Sequence, residues 1–219
     1  NPLPAKGESL GEAGWDTKKE TLIDVIERLS TIDGLERIRT SSVEPIIITE
    51  DFLKRVSQVE QFCPHFHLSL QSGCNKILKK MNRRYTAEEY RNAVEQIRKT
   101  YTYPAITTDV IVGFPEEEES DFEETKKFLE EIKLYEMHVF PYSPREGTVA
   151  YERGETVTKE EKHVRSNTLI SISNQNKKEF MESQIGQVLP VLFETREDDI
   201  YTGHTMNYMK VKVVTKESV

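Results

Sequence analysis

The chain has 219 residues, 36% hydrophobic and 31% charged, with a formal net charge of −8 at pH 7. That length suits one large domain, or one domain with a small module, and is enough to bury a core. The composition excludes a disordered polymer, no apolar run approaches a membrane span of ~20 residues, and the negative charge argues against a surface built for non-specific nucleic-acid binding. The two cysteines, Cys63 and Cys74, are ten residues apart in the gap between them, neither a disulfide framework nor a metal-ligand spacing. They read as reduced thiols of a cytoplasmic protein. The chain begins at Asn1 and carries no signal peptide, so a processed or excised piece is expected.

Residues 1–16, with two prolines and three glycines, read as a loop or an added lead-in anchored at Trp15. Thr17-x-x-Glu20 is a capping box. It opens a helix with Leu22, Val25, Ile26 and Leu29 on one face, ending near Asp33-Gly34. Leu35 to Glu44 reads as a strand. Thr49 then caps a helix carrying Phe52, Leu53 and Val56, and His65 to Gln71 reads as a second strand ending at Ser72-Gly73. A short basic helix runs from Asn75 through Met81. Thr86-x-x-Glu89 opens a helix with Tyr90, Ala93, Val94 and Ile97 inward.

Thr107 to Pro115 is the central strand, dense in β-branched residues, closed by Gly-Phe-Pro and expected to be buried on both faces. Ser120-x-x-Glu123 is expected to cap the next helix, with Phe122, Leu129 and Ile132 inward. Glu136 to Tyr142 is the fourth strand, followed by the loop Ser143 to Thr148. Alternating helix and strand of this kind builds a parallel α/β sheet with right-handed crossovers. A barrel or sheet lacking its first strands has this pattern. Thr158-x-x-Glu161 caps a long helix to about Ser183, polar on most faces, with a thin stripe of Val164, Leu169, Ile172 and Phe180. It is expected to lie across a surface. From Gln187 the pattern alternates, predicting two or three antiparallel strands with a turn at Asp198-Asp199.

Polar residues gather at the strand ends: Thr40 to Pro45, Gln71-Ser72-Gly73, Asp109 with Gly113, and Tyr142-Ser143. In a parallel sheet that rim is where a polar ligand binds. Lys76, Lys79, Lys80, Arg83 and Arg84 follow it and could hold a carboxylate or phosphate, or form a solvated face. His65 and His67 share a strand face with Cys63 nearby, but no third ligand lies at useful spacing, and His138 and His204 stand apart. They read as structural, with no metal site in the chain. Glu116 to Glu119 suits a helix start. No catalytic triad or phosphate-cradling glycine loop is present, and the residues alone lead to a ligand-binding β/α unit.

The segments Arg37-Ile-Arg-Thr-Ser-Ser-Val-Glu-Pro45, His67-Leu-Ser-Leu-Gln-Ser-Gly73, Met81-Asn-Arg-Arg-Tyr-Thr86, Asp109-Val-Ile-Val-Gly-Phe-Pro115 and His138-Val-Phe-Pro-Tyr-Ser143, with Gly147-Thr148, stand in one order. Together they resemble the radical-SAM methylthiotransferase family, enzymes that thiomethylate tRNA adenosine beside the anticodon or a ribosomal-protein aspartate. The Ser-Ser-Val-Glu-Pro and His-Val-Phe-Pro-Tyr-Ser wording resembles the branch acting on threonylcarbamoyladenosine in tRNA.

The resemblance implies an α/β fold: a partial, truncated TIM-like β/α barrel of radical-SAM type, then a long helix and an incomplete antiparallel β module of TRAM type. The implied divisions are residues 1–16, a core of 17–155, a connecting helix of 156–185 and the β module of 186–219. It implies S-adenosyl-L-methionine (SAM) as cofactor, with Glu44, Gln71, Ser72, Arg84, Asp109, Gly113 and Phe114 near it or the substrate, Arg84 facing its carboxylate. It implies 4Fe–4S clusters in the full-length protein, held by cysteines that Cys63 and Cys74 do not match. The fragment alone is therefore expected to be inactive. In the full-length protein tRNA is the implied partner; self-association through an open sheet edge is a further expectation.

The sequence departs from the family wording at Glu116, where a glycine is common, at Ser69, where proline is common, and at Cys74, where serine is usual. Two other readings stand beside this one. One is the ribosomal-protein branch, the other a non-catalytic RNA- or protein-binding β/α module.

Overall fold

The computed structural model describes residues 20–216. The lead-in, Trp15 and the cap signal at Thr17 lie outside them. Helix α1 (Leu22–Ser30) is capped by Thr21: the Asp24 carboxylate accepts from the Thr21 N–H at 2.7 Å. The expected strand from Leu35 to Glu44 is broken. Ile38 makes one parallel bridge to Phe62, and only β1 (Ser42–Val43) forms a ladder. Glu36 and Arg39 are exposed around the buried Ile38, so too little apolar surface alternates here to hold a longer strand.

A 3₁₀ turn (Pro45–Ile47) leads to α2 (Glu50–Val56), where the Thr49 hydroxyl accepts from the Phe52 N–H at 3.1 Å. Then follow β2 (His65–Leu68), α3 (Asn75–Lys80), α4 (Ala87–Thr100) with its Thr86–Glu89 capping box, and β3 (Ala105–Val112). Helix α5 (Glu119–Ile132) is capped by Glu118 and Asp121, not by Ser120 and Glu123. Asp121 wins because Lys76 fixes its carboxylate at 2.9 Å, where it also accepts from the Glu118 N–H at 2.9 Å. Strand β4 (Glu136–Pro141), a short α6 (Val149–Glu152) and the long α7 (Lys159–Ser183) complete the core.

The four strands form one parallel sheet in the order β1-β2-β3-β4. Side chains alternate across it. Phe66, Leu68, Ile106, Val110, Val112 and Met137 enter one core with Tyr90, Val94 and Ile97 of α4 and Phe122, Leu129 and Ile132 of α5. Each such fully buried side chain contributes about 1.5–3 kcal/mol. The opposite, inner face is polar: His65 and His67, Thr107 and Asp109, Glu136 and His138. Strand β3 is thus closed on its helix side and only half-buried on the other, at Asp109 and Ile111, where burial on both faces was expected.

Helix α7 covers the free edge of β4. The Ser173 hydroxyl accepts from the Met137 N–H at 2.8 Å and donates to its carbonyl at 3.3 Å. Its buried face is Lys162, Arg165, Ser166, Leu169, Ser173 and Asn176, while Val164, expected on the apolar stripe, is exposed. Three further strands, β5 (Val191–Glu197), β6 (Ile200–Thr205) and β7 (Lys210–Val214), form an antiparallel sheet with its turn at Asp198-Asp199. This module seals the N-terminal ends of the parallel strands. Met209 packs with Ala105 and Tyr135, Asn207 donates to the Tyr103 carbonyl at 3.0 Å, and Arg37 donates to the His204 carbonyl at 2.8 Å.

Candidate functional site

The polar inner face gathers titratable groups by register. His67 stands opposite Thr107, and Asp109 opposite His138, on three adjacent strands. His67 Nε2 lies 3.3 Å from Asp109 Oδ2, His67 Nδ1 lies 2.9 Å from the Thr107 hydroxyl, and the two imidazole rings stack at 5.8 Å. The sequence reading gave His67 no third ligand partner and set His138 apart; the sheet corrects both. A cavity of about 280 Å³ opens beside them, lined among others by Arg39, Thr40, Ser42 and His65. Buried polar atoms there, Thr40 Oγ1 and His65 Nδ1, have no partner.

The residues expected at the rim are spread along it. Glu44 is exposed at the end of β1, with Arg83, not Arg84, 3.5 Å from its carboxylate; the buried Nε of Arg83 is unpartnered. Arg84 is exposed, and among the described residues no ion pair holds it. Gln71 is buried with φ +69°, its backbone laced to β3 through the Asp109 carbonyl and the Ile111 N–H, both at 2.9 Å. A non-glycine residue held at positive φ is strained, and strain of this kind clusters at binding sites. The Ser72 hydroxyl faces α5, 3.1 Å from the Thr125 hydroxyl, and accepts from the Cys74 N–H. Phe114 is buried against Tyr142, ring centroids 5.3 Å apart, in a small core with Cys74 and Ile77.

Gly113 has φ +70° and donates to Glu117 Oε1 at 2.9 Å. A Cβ on it would meet the aliphatic stem of Lys162. Burial pushes the Glu117 carboxyl up, opposed by that N–H and by Arg165, whose Nη1 donates to Oε1 at 2.7 Å. The basic run is largely paired within the fold: Lys76 with Glu118 and Asp121, Lys80 with Glu116. The Tyr142-Ser143 end of β4 lines a separate cleft of about 660 Å³ against α7, with Lys159 and His163. That cleft is the larger, but the clustered titratable groups His67, Asp109 and His138 lie elsewhere, on the inner face.

The cysteines do not suit an iron–sulfur cluster. Cys63 precedes β2 and Cys74 precedes α3 beyond its other end, both buried. Burial raises the Cys63 thiol and pushes Cys74 up to about 11, where Sγ donates to Asp121 at 3.6 Å. A cluster needs several convergent thiolates. The rim does suit a polar cofactor such as SAM, with the orphaned Arg83 N–H, a free Arg84 and the exposed carboxylate of Glu44.

The pattern of the radical SAM superfamily matches residues 11–129 of the 219. The chain belongs to the radical SAM superfamily. Threonylcarbamoyladenosine tRNA methylthiotransferase MtaB of Bacillus subtilis (strain 168) is 37% identical over 211 residues, 94% of this radical SAM chain and 47% of that protein. tRNA-2-methylthio-N(6)-dimethylallyladenosine synthase of Clostridium botulinum (strain Loch Maree / Type A3) is 38% identical over 189 residues, 86% of this chain and 42% of that protein. The chain thus spans under half the length of these curated relatives. Among solved structures, coproporphyrinogen III oxidase (HemN) from Escherichia coli, a radical SAM enzyme, superposes with a TM-score of 0.58 at 17% identity, over 84% of this chain and 51% of that one. At that identity the likeness is one of fold. No helix among the described residues is long and apolar enough to cross a membrane.

Proposed function

We propose that this chain is part of a cytoplasmic tRNA methylthiotransferase that adds a methylthio group to N6-threonylcarbamoyladenosine beside the anticodon. The observation that carries the reading is the 37% identity to a threonylcarbamoyladenosine tRNA methylthiotransferase along 94% of the chain. The identities to that enzyme and to a dimethylallyladenosine synthase are nearly equal. The choice of nucleoside therefore rests on the Ser-Ser-Val-Glu-Pro and His-Val-Phe-Pro-Tyr-Ser segments.

In this reading the rim binds SAM, which when bound supplies the radical initiator and the methyl group. Arg84 takes the carboxylate as a charge-assisted pair, and Glu44 offers an acceptor to its amine or hydroxyls. Gln71, Ser72, Gly113 and Phe114 hold the backbone of the rim in shape. The core beneath excludes water from the reacting groups. The three-stranded module, with Lys210 and Lys212 exposed on β7, contacts the tRNA backbone as a TRAM-type surface. In this reading neither buried thiol is a cluster ligand.

The test uses the complete protein that carries this chain, anaerobically reconstituted with iron and sulfide, given SAM, dithionite and tRNA bearing threonylcarbamoyladenosine. Digestion and mass analysis should show the methylthio nucleoside. Product formed only on dimethylallyladenosine tRNA would move the substrate to the other branch. No product on either tRNA, with SAM intact, would overturn the proposal in favour of a binding module.

A further inference from the structure

We infer that the inner face of the parallel sheet carries a site for one divalent first-row transition-metal ion, held by His67, Asp109 and His138. The inference stands on geometry and does not depend on the methylthiotransferase reading. Three neighbouring strands each contribute one donor to the same face, and one ligand atom from each residue lies within 4.8 Å of the other two. Ligands around a tetrahedral zinc, each at 2.0–2.1 Å from the metal, sit roughly 3.3 Å apart. The His67 Nε2–Asp109 Oδ2 pair already has that spacing, at 3.3 Å. His138 is exposed, so its ring can turn the remaining distance without disturbing the core.

The surroundings are those of a ligand set. The Thr107 hydroxyl at His67 Nδ1, 2.9 Å away, orients the ring so that Nε2 faces the other donors, the outer-shell contact that metal-bound imidazoles ordinarily have. A histidine–carboxylate ion pair would account for His67 and Asp109 alone. His138 stands one strand beyond Asp109, its ring 5.8 Å from that of His67 and near-parallel to it, so coordination requires the exposed His138 ring to rotate out of the stack. Two imidazoles and one carboxylate form a donor set of borderline softness, suited to zinc, cobalt(II) or iron(II). Three protein ligands leave a coordination position open for water or a polar ligand, and two of the three, His67 and His138, line the 280 Å³ cavity. The site contains no cysteine.

The experiment is a titration of the metal-free 219-residue chain with cobalt(II), read by visible d–d absorption and followed by competition with zinc. One equivalent of cobalt should bind, one equivalent of zinc should displace it, and zinc should raise the melting temperature. His138→Ala, at an exposed position, should weaken cobalt binding at least tenfold with an unchanged far-UV spectrum. Asp109→Asn should do the same, and Thr107→Val should weaken it by about tenfold through loss of orientation. His163→Ala and His204→Ala should leave the titration unchanged. The inference is overturned by absence of the d–d band, or by affinity that survives both His138→Ala and Asp109→Asn. It is equally overturned by affinity that disappears with His163 or His204, since the ion would then sit on a surface histidine.

Discussion

Cys63 and Cys74 are each only 1–2% exposed, and burial holds both thiols above their ordinary range, Cys74 at about 11. The thiolate is the reactive form, so at pH 8 the Cys74 thiolate is roughly a hundredfold scarcer than that of an ordinary free thiol, before access is counted. Iodoacetamide should therefore label Cys74 at least about a hundredfold more slowly in the native chain than in the urea-unfolded chain, and Cys63 should also be slowed. Fast native labelling of either cysteine would show that its pocket opens. Gly113 is a second residue whose chemistry is local. Its φ of +70° and the Lys162 stem above it predict that Gly113→Ala costs at least about 1–2 kcal/mol from the left-handed backbone alone, read as a lower urea midpoint. A turn glycine after β3 was legible because Gly-Phe-Pro follows an apolar run. The lysine passing over it was not, because Lys162 arrives from a helix 49 positions later.

Among the elements, α7 shows where periodicity stops being informative. Its ends were readable from the Thr158–Glu161 capping box and from the change to alternation after Gln187, and the helix runs from Lys159 to Ser183. Its buried face was readable only in part: Leu169, Ile172 and Phe180 of the expected stripe do pack inward and Val164 does not, but five of its six buried residues are polar or charged and carry no apolar signal. The centre of that face is the pair Arg165–Glu117, with side chains 7% and 3% exposed. Removing one member of a buried pair strands the other and typically costs about 3–5 kcal/mol, so Arg165→Met should lower stability by that order at pH 7. The sign of its pH dependence follows from Glu117, whose carboxyl burial already raises. A native carboxyl raised above its unfolded value binds more protons than the unfolded chain, so stability falls as pH rises through that window. Losing the Arg165 charge widens the window. Urea unfolding of Arg165→Met should therefore show a larger deficit at pH 7 than at pH 4, and Arg165→Met/Glu117→Gln should recover much of it. An equal deficit at both pH values would assign the loss to packing instead.

For the whole molecule, the two faces of the sheet differ in character: hydrophobic contacts on the helix side hold the fold, and the inner side carries polar and titratable residues. The alternation of helix and strand was visible in sequence because apolar residues repeat every 3.6 or every two positions. The assembly of His67, Asp109 and His138 was not visible, because it depends on the register of three strands separated by whole helices. Arg83 in place of Arg84 beside Glu44 follows from the same limit: one residue decides which side chain turns inward. This division predicts what iron does when offered to the 219-residue chain. Two sealed thiols at opposite ends of β2 cannot converge on a cluster, whereas the inner-face histidines and Asp109 can take a single ion. Anaerobic incubation with ferrous iron and sulfide, followed by desalting, should leave up to one iron per chain, no acid-labile sulfide, no brown charge-transfer band and no cleavage of added SAM. Cys63→Ser/Cys74→Ser should change none of these values, while His138→Ala should remove the iron. Four irons and four sulfides, lost in the cysteine variant, would mean that both thiols can leave their pockets and that the fold is far more mobile around β2 than its packing implies.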